Sequence, residues 1–278
     1  MSGPGISVLM PSFNAGEFLR EAVAGALPQM NEADELVIQD GGSTDGSIDR
    51  LLAEFGSYPQ LKVVSEPDGG QADALNRALA RAVNPLFGWL NADDRMCPGA
   101  MDAVRGAWVA NPDADFICGA WTLISPQGEV VRICQPGDDL SVRSLTRQAA
   151  LFTGAMFMRT DFVREAGGFD KDLYFCMDYD LVLRLSSRNW RTVRLPDVLG
   201  EFRWHQASKT GAMDFGVVRE SSAVRRRYAR GAMATLEADV SSAVHFIAVL
   251  ATPLRRAEWY SRLRVRRAAR RVAPAPRS

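Results

Sequence analysis

Two adjacent carboxylates follow the apolar run at residues 86–90, in the segment GWLNADD. Asp93 and Asp94 repel each other and resist leaving water, and Asn91 lies close by. A divalent cation shared with a phosphate group would neutralise them, since Mg²⁺ and Mn²⁺ prefer oxygen ligands. The segment therefore predicts a metal site for a phosphorylated substrate. The alternative is that one Asp only caps a helix predicted near 98–110.

Polar residues also follow two other predicted strands. The run at 6–13 ends in Pro-Ser-Phe-Asn, and the run at 35–40 ends in Asp-Gly-Gly. Ligands of open parallel sheets bind beyond the carboxyl ends of the strands, so these groups should share one acidic crevice. The residues expected at this edge are Pro11, Ser12, Phe13, Asn14, Asp40, Asn91, Ala92, Asp93 and Asp94.

The elements that must position these residues alternate along the first half of the chain. Apolar runs predict strands at 6–13, 35–40, 61–66 and 86–91, and helical spacing predicts helices at 15–27, 46–55 and 70–83. Such alternation favours parallel βαβ units. After residue 110 the pattern instead predicts an antiparallel pair, a strand, two helices and two short extended pieces. Those segments are 115–125 with 128–134, 152–160, 160–169, 177–187, 191–196 and 199–205.

Composition indicates a globular protein with an asymmetric charge distribution. The 278 residues have a formal net charge of zero, but residues 225–278 contain 13 Arg against 3 acidic residues. The four Cys lack paired metal spacing, so we expect free thiols in a reducing compartment. No signal peptide is evident, and the apolar stretch at 242–254 is too short to span a bilayer. We therefore expect a cytoplasmic protein.

Four ordered segments resemble family 2 glycosyltransferases of GT-A fold, and the resemblance covers roughly residues 5–210. They are ISVLMPSFNAGEFLREAV, LVIQDGGSTDGS, DGGQADALNRAL and GWLNADD. The resemblance implies an α/β fold with a mixed, mainly parallel sheet flanked by helices. A catalytic domain would span 1–210, with a nucleotide-binding half at about 1–110 and an acceptor half at about 111–210. Residues 211–278 would form a helical, basic appendage.

The same resemblance assigns roles to individual residues. Asp178 matches the general base, although Met177 replaces the Glu that usually precedes it, and Asp180 is the nearest competitor. Asn91 replaces the first Asp of the family's Asp-x-Asp metal motif. Lys209 would approach the diphosphate if its loop folded over the donor. The implied nucleotide-binding residues are Pro11, Ser12, Phe13, Asn14, Asp40, Gln71, Asn91 and Ala92; the ligands of Mn²⁺ or Mg²⁺ are Asp93 and His205; the sugar-binding residues are Gly154, Trp204 and Asp94.

These residues predict an inverting transfer of sugar from a nucleotide-diphosphate sugar, with UDP favoured, to a glycan or lipid-linked acceptor. The expected setting is the synthesis of cell-surface polysaccharide or glycolipid. The Arg-rich segment 253–271 would bind the anionic inner face of the membrane or remain a solvated tail, and no nucleic acid is expected. Two rival functions are a sugar nucleotidyltransferase and a non-catalytic protein that binds nucleotide sugars or glycans. A dehydrogenase is disfavoured because no Gly-x-Gly-x-x-Gly follows the first strand.

Overall fold

One mixed sheet organises the molecule. The computed structural model describes residues 3–148, 151–205, 208–209 and 215–250, and within them nine strands form the sheet. The strands are β1 (Ile6–Ser12), β2 (Glu35–Asp40), β3 (Leu61–Ser65), β4 (Leu86–Trp89), β5 (Arg95–Met96), β6 (Phe116–Ile124), β7 (Val130–Cys134), β8 (Met156–Arg159) and β9 (Thr192–Arg203). Their order is β3-β2-β1-β4-β8-β6-β9-β5, and β7 pairs with β6.

Helices cover both faces of this sheet. They are α1 (Gly16–Ala26), α2 (Ser47–Phe55), α3 (Gln71–Arg81), α4 (Ala100–Ala110), α5 (Val142–Arg147), α6 (Thr160–Glu165), α7 (Met177–Ser186), α8 (Phe215–Tyr228) and α9 (Ala232–Leu250). One apolar core lies under α1, α2 and α4, and a second lies under α3 and α7. Because both faces are covered, all seven residues of β1 are buried, as is usual for parallel strands. The predicted α/β class is confirmed.

The first half is the predicted parallel unit. β3, β2, β1 and β4 run parallel to one another, so their carboxyl ends meet at one edge. The predicted antiparallel pair of β6 and β7 is also confirmed. β8 runs antiparallel to β4 and to β6, which joins the second half to the same sheet.

β9 corrects the prediction of two short extended pieces. It is one strand of twelve residues, and its pairing with β6 shifts register between Arg194 and Val198. Pro196 lies in that interval and has no N–H to donate to the ladder, which explains the irregularity. The segment predicted as a strand at 152–160 begins as a 3₁₀ turn at Thr153–Ala155 before β8.

The helix predicted near 98–110 begins later than expected, at Ala100. Gly99 precedes it with φ 82°, and no side chain caps its first turn. Neither Asp93 nor Asp94 therefore caps α4, which removes the alternative interpretation of these two carboxylates.

The C-terminal region is helical, as predicted, through the end of α9. α8 packs against α7, and α9 packs against α8 and α5. The Arg-rich segment 253–271 lies outside the described residues, so its predicted contact with a membrane stays a prediction. In the part of the chain that is described, none of the helices has the length and apolar character needed to cross a bilayer.

Candidate active site

A cavity of about 1380 Å³ opens at the carboxyl ends of β1 and β4. It extends beneath the end of β9 to the start of α7, so both halves of the sheet contribute to it. The predicted site residues that line it are Pro11, Ser12, Phe13, Asn14, Gln71, Asn91, Ala92, Asp93, Asp178, Trp204 and His205. Three predicted residues, Asp40, Asp94 and Gly154, do not line it.

Asp93 and His205 meet at the wall of this cavity. The Nε2 atom of His205 lies 2.9 Å from Oδ2 of Asp93, and the imidazole packs against the ring of Phe18. This contact is a hydrogen bond, and the same carboxylate oxygen and imidazole nitrogen could instead hold a divalent cation. One carboxylate and one imidazole suit Mn²⁺ at least as well as Mg²⁺.

The protein supplies only part of a metal coordination shell. Among the described residues no group of three or more His, Cys, Asp or Glu side chains converges as a metal site. An ion held by Asp93 and His205 would need oxygen atoms from substrate and water for its remaining positions, which is the usual way Mg²⁺ binds beside phosphates.

The amide of Asn91 explains why this position differs from the family's Asp. Its Oδ1 accepts hydrogen bonds from Nε1 of Trp89 and Nε2 of Gln71, both at 2.9 Å, and its Nδ2 donates to Oδ2 of Asp94 at 3.0 Å. A carboxylate at position 91 could accept the first two bonds but would repel Asp94. Asn91 therefore positions the loop without adding charge, and Asp93 is the acidic residue of this motif that lines the cavity.

Asp94 has a structural position behind the cavity wall. It is buried, and its Oδ1 accepts the backbone N–H of Arg203 at 2.9 Å. Burial and the charge of Asp93 raise the pKa of Asp94 well above its usual range, against the opposing effect of hydrogen bonds from Arg203 and Asn91. Asp94 therefore joins the loop after β4 to the end of β9, and its predicted contact with the sugar stays a prediction.

Arg203 is a residue of the site that the sequence did not single out. It is buried, and its guanidinium donates to the backbone carbonyls of Asp93 and Pro126 and to the carboxylate of Glu21. The guanidinium also stacks over the ring of Phe18, 4.8 Å from its centroid. These bonds hold the loop that carries Asp93 against Arg203, which lies two residues before His205 in the chain. The sequence could have indicated Arg203, because it directly precedes the two predicted site residues Trp204 and His205 in the segment EFRWH.

Asp178 and Asp180 occupy different sides of α7. Asp178 lines the cavity, and its Oδ1 accepts the N–H of Tyr179 at 2.7 Å. Asp180 is buried on the opposite side, where it pairs with Arg184 at 3.0 Å and with Arg227 at 2.8 Å. The geometry separates the two candidates, because only Asp178 can reach a substrate in the cavity.

The surroundings of Asp178 favour its neutral form. Burial raises the pKa of Asp178; the N–H of Tyr179 and the charge of Lys209 oppose that rise, whereas the charge of Glu220 adds to it. Lys209 is anchored nearby, where its Nζ donates to Oε1 of Gln71 and to the carbonyl of Tyr174, both at 3.0 Å. Burial lowers the pKa of Lys209. A carboxyl with a raised pKa beside a substrate cavity is a typical general base.

Asp40 is fully buried at the end of β2. Its carboxylate accepts hydrogen bonds from the backbone of Gly42 and Ser43 and from the hydroxyls of Ser43 and Ser65. These bonds form the turn after β2, and the predicted contact of Asp40 with a nucleotide stays a prediction. Asp68 lines the cavity beside Gly41, so a carboxylate on this side does face the cavity.

Gly154 also has a packing role. A Cβ atom there would lie 2.7 Å from Cε1 of Phe152, and a Cβ on Gly200 would lie 2.5 Å from the carbonyl oxygen of Gly154. The 3₁₀ turn thus packs closely on β9, and the predicted approach of Gly154 to a donor sugar stays a prediction. Thr153, the preceding residue, lines the cavity.

The end of β1 offers an aromatic surface at the mouth of the cavity. Phe13 is 65% exposed, which is unusual for a residue at the end of a buried strand. Asn14 has φ 47°, and its Oδ1 accepts the N–H of Thr44, so it fixes the loop that presents Phe13. At the other end, Trp204 continues the β6–β9 ladder through its N–H bond to Ile124 and contributes to the cavity wall.

Comparison with known proteins gives the class of the chain. The model of glycosyl transferase family 2 matches residues 7–160, and the chain belongs to that family. A curated relative, chondroitin synthase of Pasteurella multocida, is 26% identical over 188 residues, which is 66% of this chain. That match covers 19% of the relative, so this chain spans about a fifth of the length of that protein.

Two solved structures share the fold. S. aureus TarS residues 1–349 in complex with UDP-GlcNAc superposes with a TM-score of 0.65 at 16% identity, covering 89% of this chain and 73% of TarS 1–349. Mannosyltransferase PcManGT from Pyrobaculum calidifontis, in complex with GDP-Man and Mn²⁺, superposes with a TM-score of 0.66 at 19% identity. The match covers 99% of this chain and 78% of PcManGT. The predicted GT-A architecture is confirmed by this likeness.

Proposed function

We propose that this glycosyltransferase moves a sugar from a nucleotide-diphosphate sugar to an acceptor hydroxyl with inversion at the anomeric carbon. The observation that supports the proposal is the shared cavity: a carboxyl with a raised pKa, Asp178, opens onto the same space as the Asp93–His205 pair. Asp178 suits deprotonation of an acceptor, and the Asp93–His205 pair suits a divalent cation that would neutralise an anionic leaving group.

The donor would bind at the carboxyl ends of β1 and β4. Phe13 offers a ring face to the base, and Asp68 offers a carboxylate to base or ribose hydrogen-bond donors. Gln71 and Asn91, which hydrogen-bond each other, lie between this region and Asp93. A UDP-sugar is favoured, supported by the fold shared with TarS bound to UDP-GlcNAc, whereas PcManGT bound to GDP-Man keeps a GDP-sugar as an alternative.

A divalent cation, Mn²⁺ or Mg²⁺, fits between Asp93 and His205. When bound, such an ion acts as a Lewis acid that neutralises the departing diphosphate. Asp93 would supply a negatively charged oxygen ligand and His205 a neutral nitrogen ligand, and Arg203 holds the loop that carries Asp93. Lys209, anchored to Gln71, supplies a second positive charge on the Asp178 side of the cavity.

Asp178 would take the proton of the acceptor hydroxyl as its oxygen attacks the anomeric carbon. The new carbon–oxygen bond forms on one face of the sugar while the bond to the diphosphate breaks on the other, and the electron pair leaves with the diphosphate. No covalent enzyme intermediate is required. An acceptor on a glycan or a lipid, in polysaccharide or glycolipid synthesis, is supported by the similarity to chondroitin synthase. The four free cysteines support a cytoplasmic setting.

The test is release of nucleoside diphosphate from UDP-sugars and GDP-sugars with and without Mn²⁺. Wild-type protein should release it, and Asp178→Asn should lose the release while keeping donor binding, measured as a ligand-dependent rise in melting temperature. Binding without release by either protein would identify a non-catalytic binding protein. Release of pyrophosphate from a nucleoside triphosphate and a sugar phosphate would identify a nucleotidyltransferase.

A further inference from the structure

The helix α9 packs on the protein through Ala238, which two ion pairs flank. Glu237 pairs with Arg143 of α5 at 2.8 Å, and Asp239 pairs with Arg226 of α8 at 2.7 Å. Between them, Ala238 is fully buried against the body of the protein. A surface helix usually places its apolar stripe on the core and its charged side in water. On α9 the large apolar side chains instead lie on the outward side.

The outward side of α9 is a continuous apolar stripe. Met233, Leu236, Val240 and Val244 are each more than half exposed, and their spacing of three, four and four residues places them on one face. Among the residues of this helix whose side chains are described, every exposed one is apolar; the remaining two are Ala232 and Ala243. A single exposed apolar residue is ordinary, but a stripe of this length marks a binding surface.

The chemistry of the adjoining sequence indicates what covers the stripe. Residues 251–278, which follow α9 directly, contain nine Arg and a single acidic residue, Glu258. Arginine next to an apolar helix face matches an anionic lipid surface, where phosphate groups attract the cations and the acyl boundary accepts the apolar side chains. Two copies of this chain meeting through α9 would instead bring two strongly cationic segments together.

We infer that the outward face of α9 binds an anionic membrane surface, with Met233, Leu236, Val240 and Val244 inserted at the boundary of the acyl chains. α9 lies along the surface, since none of the described helices is suited to crossing a bilayer. The ion pairs of Glu237 and Asp239 flank the buried Ala238 and hold the helix with its apolar face outward. This inference adds a structured insertion face to the predicted contact of the Arg-rich segment and is independent of the transferase chemistry.

The test uses the full chain and sedimentation with lipid vesicles. Vesicles of phosphatidylglycerol mixed with phosphatidylcholine are compared with vesicles of phosphatidylcholine alone. The variant Leu236→Glu/Val240→Glu removes the apolar stripe at its centre without touching the ion pairs. Val109→Glu, on the exposed side of α4, is the matched control because Val109 is also an exposed helical valine. Melting temperatures of all variants report whether the folded structure is retained.

Wild-type protein and Val109→Glu should bind the anionic vesicles and bind phosphatidylcholine weakly. The double variant should bind the anionic vesicles at least about tenfold more weakly, because burying even one such side chain stabilises by more than a factor of ten in affinity. Equal binding by the double variant would overturn the inference and leave the Arg-rich segment as the sole contact. Failure of wild type to bind, with a dimer that the double variant breaks, would show that α9 joins two copies.

Discussion

The carboxylate of Glu220 on α8 accepts the backbone N–H of Cys176, the residue directly before α7, at 2.6 Å. The same carboxylate accepts the N–H groups of Tyr174 at 2.9 Å and of Phe175 at 2.6 Å. Three consecutive backbone donors are thus satisfied by one side chain from a helix 44 to 46 residues further along the chain. Asp178 lies two residues beyond this anchor, so the C-terminal helices support the position of the base.

The variant Glu220→Gln should lower kcat by about ten- to a hundredfold with little change in donor KM, since a small displacement of a reacting group is costly. Glutamine keeps one acceptor oxygen but presents an N–H₂ group to the remaining donors. Because the charge of Glu220 raises the pKa of Asp178, the acid limb of the kcat/KM profile should also move to lower pH. A lower melting temperature with an unchanged acid limb would indicate a purely structural role.

Replacing Lys209 should move the acid limb of the kcat/KM profile to higher pH, opposite to the effect of Glu220→Gln. Burial is the main cause of the raised pKa of Asp178, and the nearby ammonium of Lys209 opposes it. Asp178 acts as a base only when it is ionised. The acid limb should therefore lie at a higher pH than the ordinary pKa of Asp, which is about 3.9. Lys209→Met should move it higher still. An acid limb that stays in place in Lys209→Met would argue that Asp178 is not the titrating base.

Asp178 and Asp180 should respond in opposite ways to replacement by Asn. Asp178→Asn should reduce kcat by about 10²- to 10⁴-fold, the usual contribution of a general base. Because the pKa of Asp178 is raised in the folded state, its contribution to stability is present at low pH and is lost as pH rises through the folded pKa. Urea unfolding should therefore find Asp178→Asn more stable than wild type at pH 8, with the difference shrinking toward pH 4.

Asp180→Asn removes the buried carboxylate that pairs with Arg184 and Arg227. Among the described residues this leaves Arg184 without a carboxylate partner, whereas Arg227 keeps Asp170. The variant should destabilise the protein by about 1–3 kcal/mol, the usual cost of losing hydrogen bonds to a charged group. Activity measured on the folded fraction should fall far less than in Asp178→Asn. A reversed ranking of the two variants would transfer the role of base to Asp180.

Asp93→Asn should weaken metal binding while leaving the fold intact. The side chain is partly exposed and pairs with His205, so its loss leaves no buried charge. Replacing a residue that hydrogen-bonds a metal ligand lowers metal affinity by about 10- to 100-fold, and replacing the ligand itself should lower it at least as much. The measurement is the Mn²⁺ concentration that gives half-maximal nucleotide release, with Glu17→Gln as a control, because Glu17 is another carboxylate at the same cavity. An unchanged Mn²⁺ requirement in Asp93→Asn would place the ion elsewhere.

The sequence predicted the edge of the sheet and most of its lining because those features are local. Strand periodicity placed the ends of β1, β2 and β4 together, and the family resemblance distinguished Asp178 from its neighbour. The sequence did not report contacts between distant segments. Asp40 is buried by a hydroxyl from Ser65, 25 residues away, and Asp94 is bound by the backbone of Arg203, 109 residues away. No spacing rule reports such contacts, and the anchoring by Glu220 is hidden for the same reason.

The close packing of β9 on the 3₁₀ turn gives a last prediction, which concerns the surroundings of Gly154. A Cβ atom on Gly200 would lie 2.5 Å from the carbonyl oxygen of Gly154, and this backbone atom cannot rotate away as a side chain would. Gly200→Ala should therefore destabilise the protein by about 1–3 kcal/mol, the usual cost of overpacking a core.

Gly106→Ala is the matched control, because Gly106 lies within α4 and a Cβ there meets nothing within 4 Å. This substitution should stabilise the helix by roughly 0.5–1 kcal/mol. Urea unfolding of both variants measures the two opposite changes. If Gly200→Ala proved as stable as wild type, the 3₁₀ turn at Thr153–Ala155 would have room to move away from β9.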